Sequence, residues 1–255
     1  MQGSTAIVVH GGAGAGEELS DGCRHAAAAA AGALGRGDDA LAAAVAAVVV
    51  LEDDERFNAG TGSVLGLDGA TIEMDAALMD SRGTLGAVAA LRSVRNPILV
   101  ARDVARTPHV LLAAEGAQRF ARLMGHASYD VVPDKARRDH QHLLKQLATC
   151  AQPMAGVDNV AFEHYWNYPG APPFKAPRGC DTVGAVVRDA SGHFAVAGST
   201  GGSAPCLLGR VGDTPLIGCG FYAGAHGAVA ATGIGEYLIR TMLASTVYHL
   251  SLIHI

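Results

Sequence analysis

The chain has 255 residues, of which 49% are hydrophobic and 17% are charged. This composition is typical of a globular protein with enough apolar residues for a sizeable core, in one large domain or two small ones. The net charge is −5 at pH 7, and no basic stripe runs along the chain. These features exclude an electrostatic nucleic-acid surface and argue against a membrane-surface protein.

The cysteines indicate a reducing compartment. There are five, they are scattered, and none forms a CxxC pair: Cys23, Cys150, Cys180, Cys206 and Cys219. This pattern disfavours a zinc site and a disulfide framework. The N-terminal stretch MQGSTAIVVHGGAGAG lacks a basic region and has a short apolar run, so no export signal is predicted. We therefore expect a cytoplasmic protein.

The first half of the chain alternates between strand and helix patterns. TAIVVHGG predicts a buried strand that ends in a glycine turn, and two alanine-rich helices follow, the second capped by Asp38 or Asp39. GSVLGLDGATIEMDAALMD predicts strands around an Asp68-Gly69 hairpin turn, and GTLGAVAAL predicts another strand. NPILVARDVART, with Pro97 at its start, and HVLLAAEGAQRFARLMG predict helices.

The second half begins with a change of character. From about residue 128 to the junction near residue 181, a polar helical stretch leads into a segment rich in proline and glycine, which predicts an exposed and mobile linker. TVGAVVRDASGHFAVAGST then predicts a hairpin, GRVGDTPLIGCGFYAG a loop and strand, and GEYLIRTMLASTVYHL a helix. The order of elements favours an α+β fold, with an antiparallel sheet system and helices packed outside it.

Thr182 is the first candidate for chemistry. A threonine hydroxyl is a weak nucleophile unless a base activates it, and the residue's own α-amine can do so once the preceding peptide bond is cut. That amine has a pKa of about 7.7–8.0, which suits proton transfer near neutral pH. Asp181 stands beside the bond and could assist its cleavage. The alternative is that Thr182 is simply a β-branched residue that starts a strand.

Other residues could complete a site, although each has a plain structural alternative. Thr200 ends the partner strand of the predicted hairpin, where its hydroxyl could bond the nucleophile or merely form a polar strand end. Arg210 and Asp213 match the carboxylate and amine of an amino acid, or form a surface ion pair. In ATGIGE, three residues could stabilise an oxyanion or form a cap and turn, namely Thr232, Gly233 and Gly235.

Two glycine-rich stretches complete the candidates. Asn58, in FNAGTGSV, could bond a substrate through its amide, or could simply form a turn. HGGAGAG lacks the GxGxxG spacing and the later acidic residue of a dinucleotide site, so nucleotide binding is disfavoured. His10, at the start of this stretch, is predicted to be structural.

Taken together and in this order, the motifs resemble those of the plant-type L-asparaginase / isoaspartyl peptidase family of N-terminal-nucleophile hydrolases. An ordered set of this kind is highly specific, and it spans most of the chain apart from the linker and the extreme C-terminus. The matching stretches are VVHGGAG, LEDDERFNAGTGSV, DGATIEMDAALMD, GAVAALRSVRNPILVARDV, PHVLLAAEGAQRFA, DTVGAVV, STGG, GRVGDTPLIGCGFYA and ATGIGE.

The resemblance implies a single domain with a four-layer αββα sandwich, made as a precursor. Autocleavage between Asp181 and Thr182 would give an α chain, residues 1–181, and a β chain, residues 182–255, and two such pairs would form an (αβ)₂ oligomer. By position, Thr182 matches the nucleophile. The supporting groups implied are Thr200, Thr232 and Asn58, with Thr232 and Gly233 at the oxyanion site and Arg210, Asp213, Gly233 and Gly235 at the substrate.

The resemblance also implies a structural sodium ion and no organic cofactor. The loop from Leu51 to Thr61 is similar to one that wraps sodium with backbone carbonyls, and oxygen ligands suit such an ion. The ligands implied are Leu51, Glu52, Asp54, Phe57, Ala59 and Thr61.

The implied activity is hydrolysis of L-asparagine and β-aspartyl dipeptides to aspartate and ammonia or an amine. A glycosylasparaginase-like amidase stays open as an alternative, because an Asp-Thr junction occurs in that related group as well. Other departures from the family pattern are Glu55, where a proline is frequent, and Pro205-Cys206, where an Asn-Lys pair is common. The loop from Tyr222 to Thr232 is one residue short of that pattern.

The C-terminal end departs most from the family. The stretch YHLSLIHI matches no family element and resembles the translated end of a cloning or sequencing adapter. We therefore expect a truncated reading frame that lacks the last helix and strands of the sandwich. A third hypothesis follows, namely a fragment that neither matures nor acts, because missing strands would leave sheet edges unpaired.

Overall fold

The computed structural model describes residues 3–149, 165, 167–168 and 182–253. Eight strands and seven α-helices occur in these residues, together with 3₁₀ turns at Glu17–Leu19 and Gly60–Gly62. In chain order they are β1 (Ala6–His10), α1 (Ser20–Gly35), α2 (Ala40–Asp53), β2 (Met74–Asp80), β3 (Leu85–Leu91), α3 (Pro97–Val104), β4 (Leu111–Ala113), α4 (Ala114–Leu123), α5 (Asp134–Thr149), β5 (Val183–Arg188), β6 (Phe194–Thr200), β7 (Phe221–Gly224), β8 (Gly227–Ala230), α6 (Gly235–Thr241) and α7 (Leu243–Ile253).

Six strands form one sheet in the order β1-β5-β6-β2-β3-β4. Neighbouring strands are antiparallel except β3 and β4, which are parallel. The predicted hairpin is present, because β5 and β6 pair through the Asp189–His193 turn. The pair β5–β6 lies between β1 and β2, so strands from both sides of the expected cleavage point alternate across the sheet.

The helical layer packs on one face of this sheet, and small side chains line the contact between its first two helices. Ala26, Ala30 and Ala33 recur at helical spacing on α1 and are almost fully buried against α2. The N-cap of α2 is Asp39, whose carboxylate accepts the N–H of Ala42 at 2.9 Å. Pro97 occupies the first turn of α3, as predicted.

The opposite face of the sheet packs against the β7–β8 hairpin. Phe221 and Ala223 of β7 are buried with Ala77, Ala87 and Val196 of the large sheet. The outer side of the hairpin contacts α7, where the Tyr248 hydroxyl accepts the N–H of His226 at 3.3 Å. The layers are therefore helices, six-stranded sheet, two-stranded sheet and helix, which is the predicted αββα order.

Three predicted elements are wrong in detail. The helix predicted from residue 109 begins with a strand, β4, since Leu111–Ala113 pairs in parallel with β3. The helix predicted from residue 235 is two helices, because Met242 between them adopts a left-handed φ of 45°. The stretch before Asp68 is a loop rather than a strand, and its backbone N–H at Val64 bonds the Asn58 side chain at 3.2 Å.

Among the helices of the described residues, none has the length and apolar character needed to span a lipid bilayer. Of the predicted linker, the structure describes residues 128–149, 165, 167 and 168, and the predicted polar helix is α5. Asn167 and Tyr168 contact distant parts of the chain. The Asn167 side chain makes hydrogen bonds of 2.9 Å and 3.0 Å with the backbone of Leu208, and Tyr168 is buried beside Leu67 and Leu143. The mobility of the rest of that segment stays a prediction.

Candidate active site

Thr182 lies directly before β5 and is 8% exposed. Its strand pairs with β6 so that Val183 faces Ser199. Continuing this antiparallel register by one residue places Thr182 opposite Thr200, which is 3% exposed. Because Val183 and Ala185 face the helical layer, alternation along the strand directs Thr182 towards the β7–β8 side of the sheet.

The hydroxyl of Thr182 has a second threonine within reach. Its Oγ1 lies 3.4 Å from Oγ1 of Thr214, a buried residue in the loop before β7. Thr214 follows Asp213 directly in the GRVGDTP motif, but it was not singled out from the sequence. The spatial neighbour could not be identified there because the loop returns to Thr182 only through tertiary packing.

One small pocket brings most of the predicted residues together. It holds the candidate nucleophile, its partner threonine and both members of the predicted substrate clamp. The lining residues are Thr182, Thr200, Gly202, Ser203, Arg210, Gly212, Asp213, Thr214, Gly233 and Gly235.

Arg210 is held in a fixed orientation at this pocket by Glu236. Its Nε and Nη2 donate to the two carboxylate oxygens of Glu236, each at 3.0 Å. A bidentate pair of this kind fixes the guanidinium plane as well as its position. Glu236 belongs to the ATGIGE motif, but no pattern in that motif indicates its partner.

Asp213 is a buried carboxylate with one unpartnered oxygen. It is 3% exposed, and no described residue hydrogen-bonds its Oδ2. Burial raises the pKa of this carboxyl to about 6, against the effect of the nearby Arg210 charge. A β-carbon on Gly235 would lie 3.0 Å from Asp213 Oδ1, so glycine keeps this space open. The arrangement suits an incoming ammonium group.

The two predicted oxyanion residues have different surroundings. Gly233 lines the pocket with Thr182 and has a φ of 149°, a conformation that favours glycine. The Thr232 hydroxyl instead accepts the N–H of Ala13 at 3.2 Å, in the loop after β1. This contact ties the HGGAGAG stretch to the oxyanion segment. His10 packs over Gly184, and burial lowers its pKa, while its structural role stays a prediction.

Asn58 shapes the turn that follows Thr200. Its side-chain amide donates to the Gly202 carbonyl at 2.7 Å, and its backbone carbonyl accepts the N–H of Gly201 at 3.0 Å. Gly201 packs so closely on Ser63 that a β-carbon would overlap it. Asn58 therefore supports the chain beside the candidate nucleophile through these bonds to backbone groups.

Comparison with known proteins finds a matching family profile and several similar proteins. A profile described as asparaginase matches residues 3–251. A plant-type L-asparaginase of Pyrococcus abyssi is 45% identical over 252 residues, which are 94% of this chain and 77% of that protein. An isoaspartyl peptidase/L-asparaginase of Danio rerio is 42% identical over 94% of this chain and 74% of its own, and one of Rattus norvegicus is 39% identical over 99% and 71%.

The chain belongs to the asparaginase family. Its N-terminal-nucleophile sandwich is consistent with that membership. The Asp181 side of the expected cleavage bond lies outside the described residues, so the geometry of the junction is known only from the Thr182 side.

In the loop expected to hold sodium in this asparaginase-family chain, backbone carbonyl oxygens pack closely against two glycines. A β-carbon on Gly60 would lie 2.6 Å from the Glu52 carbonyl oxygen, and one on Gly62 would overlap the carbonyl oxygen of Phe57. Carbonyl oxygens are hard ligands, the type that alkali cations prefer. Among the described residues, no three His, Cys, Asp or Glu side chains form a group that could hold a metal ion.

The other predicted ligands of this loop are already bonded or buried. The carbonyls of Asp54 and Ala59 accept backbone N–H groups from Phe57 and Gly62, both at 3.1 Å. Leu51 is fully buried in the core, and the Thr61 hydroxyl lies 3.4 Å from that of Tyr129. The carbonyl of Phe57 likewise accepts the N–H of Ala59 at 2.9 Å, so the loop is a tight, internally bonded turn.

Proposed function

We propose that this chain is a self-processing threonine amidohydrolase that cleaves L-asparagine and β-aspartyl dipeptides to aspartate and ammonia or an amine. The main support for this proposal is the position of Thr182. Thr182, the residue that would become an N-terminus, lies in one pocket with Thr200, Arg210, Asp213 and Gly233. Relatives of 38–46% identity bear the names L-asparaginase and isoaspartyl peptidase, which supports the same chemistry here.

The first step is activation of the Thr182 hydroxyl. After cleavage of the bond to Asp181, the neutral α-amine of Thr182 accepts the hydroxyl proton, since an amine with a pKa of about 7.7–8.0 is a suitable base. The buried hydroxyl of Thr214, 3.4 Å away, can hydrogen-bond the nucleophilic oxygen. Thr200 flanks it on the neighbouring strand.

The substrate is held by opposite charges. The carboxylate of Asp213 would bind the α-ammonium of the aspartyl group, and the guanidinium of Arg210 would bind its α-carboxylate. These interactions place the β-carbonyl at Thr182, because the three side chains line the same pocket. Glu236 holds the guanidinium of Arg210 in place through two hydrogen bonds.

The remaining steps are acyl transfer to Thr182 and hydrolysis of the resulting ester. The Thr182 oxygen would attack the β-carbonyl, and the N–H of Gly233 would stabilise the oxyanion. The C–N bond would then break, the leaving nitrogen would take the proton from the α-amine, and ammonia or an amine would depart. Water, deprotonated by the same amine, cleaves the ester to release aspartate and restore the hydroxyl.

The proposal is tested by measuring whether the peptide bond before Thr182 is cleaved. Purified wild-type chain at neutral pH should give two fragments with a new N-terminus at Thr182, seen by intact mass and N-terminal sequencing, and should hydrolyse L-asparagine. Thr182→Ala should stay intact and inactive, because it lacks the hydroxyl. Thr246→Ala, which alters an exposed hydroxyl on α7, is the matched control and should cleave normally. An intact wild-type chain that is fully active would refute the proposal.

We propose in addition a sodium ion in the loop from Leu51 to Thr61, an (αβ)₂ assembly and a cytoplasmic location. The carbonyl oxygens packed close to Gly60 and Gly62 are the support for the ion. The scattered cysteines support the reducing location. Sodium-dependent thermal stability in dialysed protein and the mass of the native assembly by light scattering would test the first two.

A further inference from the structure

Two carboxylates, one just before β2 and one near its start, bind the loop that carries the candidate substrate clamp. Glu73, just before β2, accepts the N–H of Gly209 on its Oε2 at 2.6 Å. Asp75, two residues later, accepts the N–H of Gly212 on its Oδ2 at 3.4 Å. Gly209 directly precedes Arg210, and Gly212 directly precedes Asp213, so each attachment lies one residue from a member of the clamp.

The remaining oxygen of each carboxylate accepts a hydrogen bond from β3 or from the residue that follows it. Ala90 donates its N–H to Asp75 Oδ1 at 2.8 Å, and Arg92 donates to Glu73 Oε1 at 2.6 Å. Ala90 can do so because β3 has a bulge here, with two residues opposite Asp75 and a left-handed φ of 48° at Ala90. The bulge turns this N–H towards Asp75.

The position of Asp75 connects the clamp to the nucleophile. Its strand neighbour on β6 is Thr200, which lies opposite Thr182. Asp75 is 2% exposed, and burial raises its pKa to about 6, while its two N–H donors and the charge of Arg210 favour the ionised form. Burying a carboxylate costs desolvation free energy, which is offset here by the hydrogen bonds that both of its oxygens accept.

We propose that Glu73 and Asp75 form a carboxylate staple, meaning these two side chains and their bonds to the Gly209 and Gly212 amides, that positions Arg210 and Asp213 to recognise the aspartyl group. Both are positioning residues, since they act through the loop rather than on substrate. The inference rests on the proposed function, because it assigns the clamp the substrate-binding role described above.

Replacing each carboxylate of the staple by the corresponding amide tests the proposal. In Glu73→Gln or Asp75→Asn, the new NH₂ would face an N–H donor or the Arg92 guanidinium, so one of the two anchoring bonds must be lost. Losing a charge-assisted bond of this kind should raise KM for L-asparagine about tenfold or more, with kcat changed by less than about threefold. Self-cleavage should go to completion, because no amino-acid substrate is bound by the clamp during that reaction.

The matched control is Asp80→Asn. Asp80 stands at the opposite end of β2, is 1% exposed, and likewise accepts two backbone N–H groups and an arginine. This variant should lose thermal stability to a similar extent but keep the wild-type KM. Should Asp75→Asn fail to fold, Glu73→Gln carries the test, because the Glu73 side chain is 14% exposed.

A double-mutant cycle separates positioning from general destabilisation. If Glu73 acts through Arg210, the loss of kcat/KM in Glu73→Gln combined with Arg210→Lys should be well below the product of the single losses. Fully multiplicative losses, or a wild-type KM in both staple variants, would overturn the proposal. A wild-type chain that neither cleaves nor hydrolyses asparagine would instead refute the proposed function, so the two failures are distinguishable.

Discussion

At the scale of single residues, the candidate site depends on small groups that leave room for charged ones. A β-carbon on Gly235 would lie 2.8 Å from Arg210 Nη2 and 3.0 Å from Asp213 Oδ1, inside the space that the two clamp side chains occupy. Gly212 is similarly close to Arg210. The absence of side chains at these positions lets two opposite charges converge on one small pocket.

Gly235→Ala should therefore reduce substrate binding without harming the fold. Gly235 begins α6, where alanine is tolerated, so thermal stability should stay unchanged or rise, while kcat/KM for L-asparagine should fall about tenfold or more through KM. Steady-state kinetics and a melting curve measure both. Gly116→Ala on α4, where a β-carbon meets open space, is the control and should leave the kinetics unchanged. Unaltered kinetics in Gly235→Ala would contradict this account of the pocket.

At the scale of secondary-structure elements, a buried glutamate joins α2 to the start of α3. Glu52 is fully buried near the end of α2, and its Oε1 accepts the N–H of Ile98 at 3.0 Å. It caps the helix that Pro97 begins. Burial raises the pKa of Glu52 to about 8, with partial opposition from Ser199 and the Ile98 amide.

This raised pKa predicts a defined pH dependence of stability. The folded chain holds the Glu52 proton up to about pH 8, whereas the unfolded chain releases it near pH 4.5, so the stabilisation present at low pH is lost as pH rises towards 8. A glutamine side chain at this position cannot ionise. The stability of Glu52→Gln relative to its parent should therefore increase by about 3 kcal/mol between pH 5 and pH 8. Urea denaturation of both chains in the uncleaved Thr182→Ala background measures this, and an equal difference at both pH values would contradict it.

At the scale of the whole molecule, the strand order makes the two expected fragments inseparable parts of one sheet. The segment before residue 182 supplies β1, β2, β3 and β4, and the segment after it supplies β5 and β6, which are inserted between β1 and β2. Val183, Ala185 and Ala197 also complete the core beneath α1 and α2. Neither segment can bury its apolar surface alone.

We therefore expect the fragments to remain associated after cleavage. They should elute together in native size-exclusion chromatography and separate only under denaturing conditions, and each expressed alone should lack a cooperative melting transition. Thr182→Ala should elute as a single uncut chain of similar size. Separate native elution of the two fragments would show that the β1–β5 and β2–β6 pairings do not hold the molecule together.

Much of the local structure could be predicted from residue patterns alone. The alanine spacing on α1, the Asp39 cap, Pro97 and the hairpin from β5 to β6 depend on interactions a few residues apart, so the sequence contains their causes. The ordered motifs also identified the family and most of the pocket. Where distant pairing decided the outcome, prediction failed, as it did for β4, which is a strand because it pairs with β3.

The sequence by itself thus determined the family, the helices and hairpins, and the residue types that the site needs. Only the tertiary structure decided which of them meet. Thr214 beside Thr182, Glu236 on Arg210, and Glu73 and Asp75 beneath the clamp loop are contacts between segments distant in the chain. Such contacts form when whole sheets and layers pack, because burial of apolar surface brings the segments together and leaves no periodic signal in either of them.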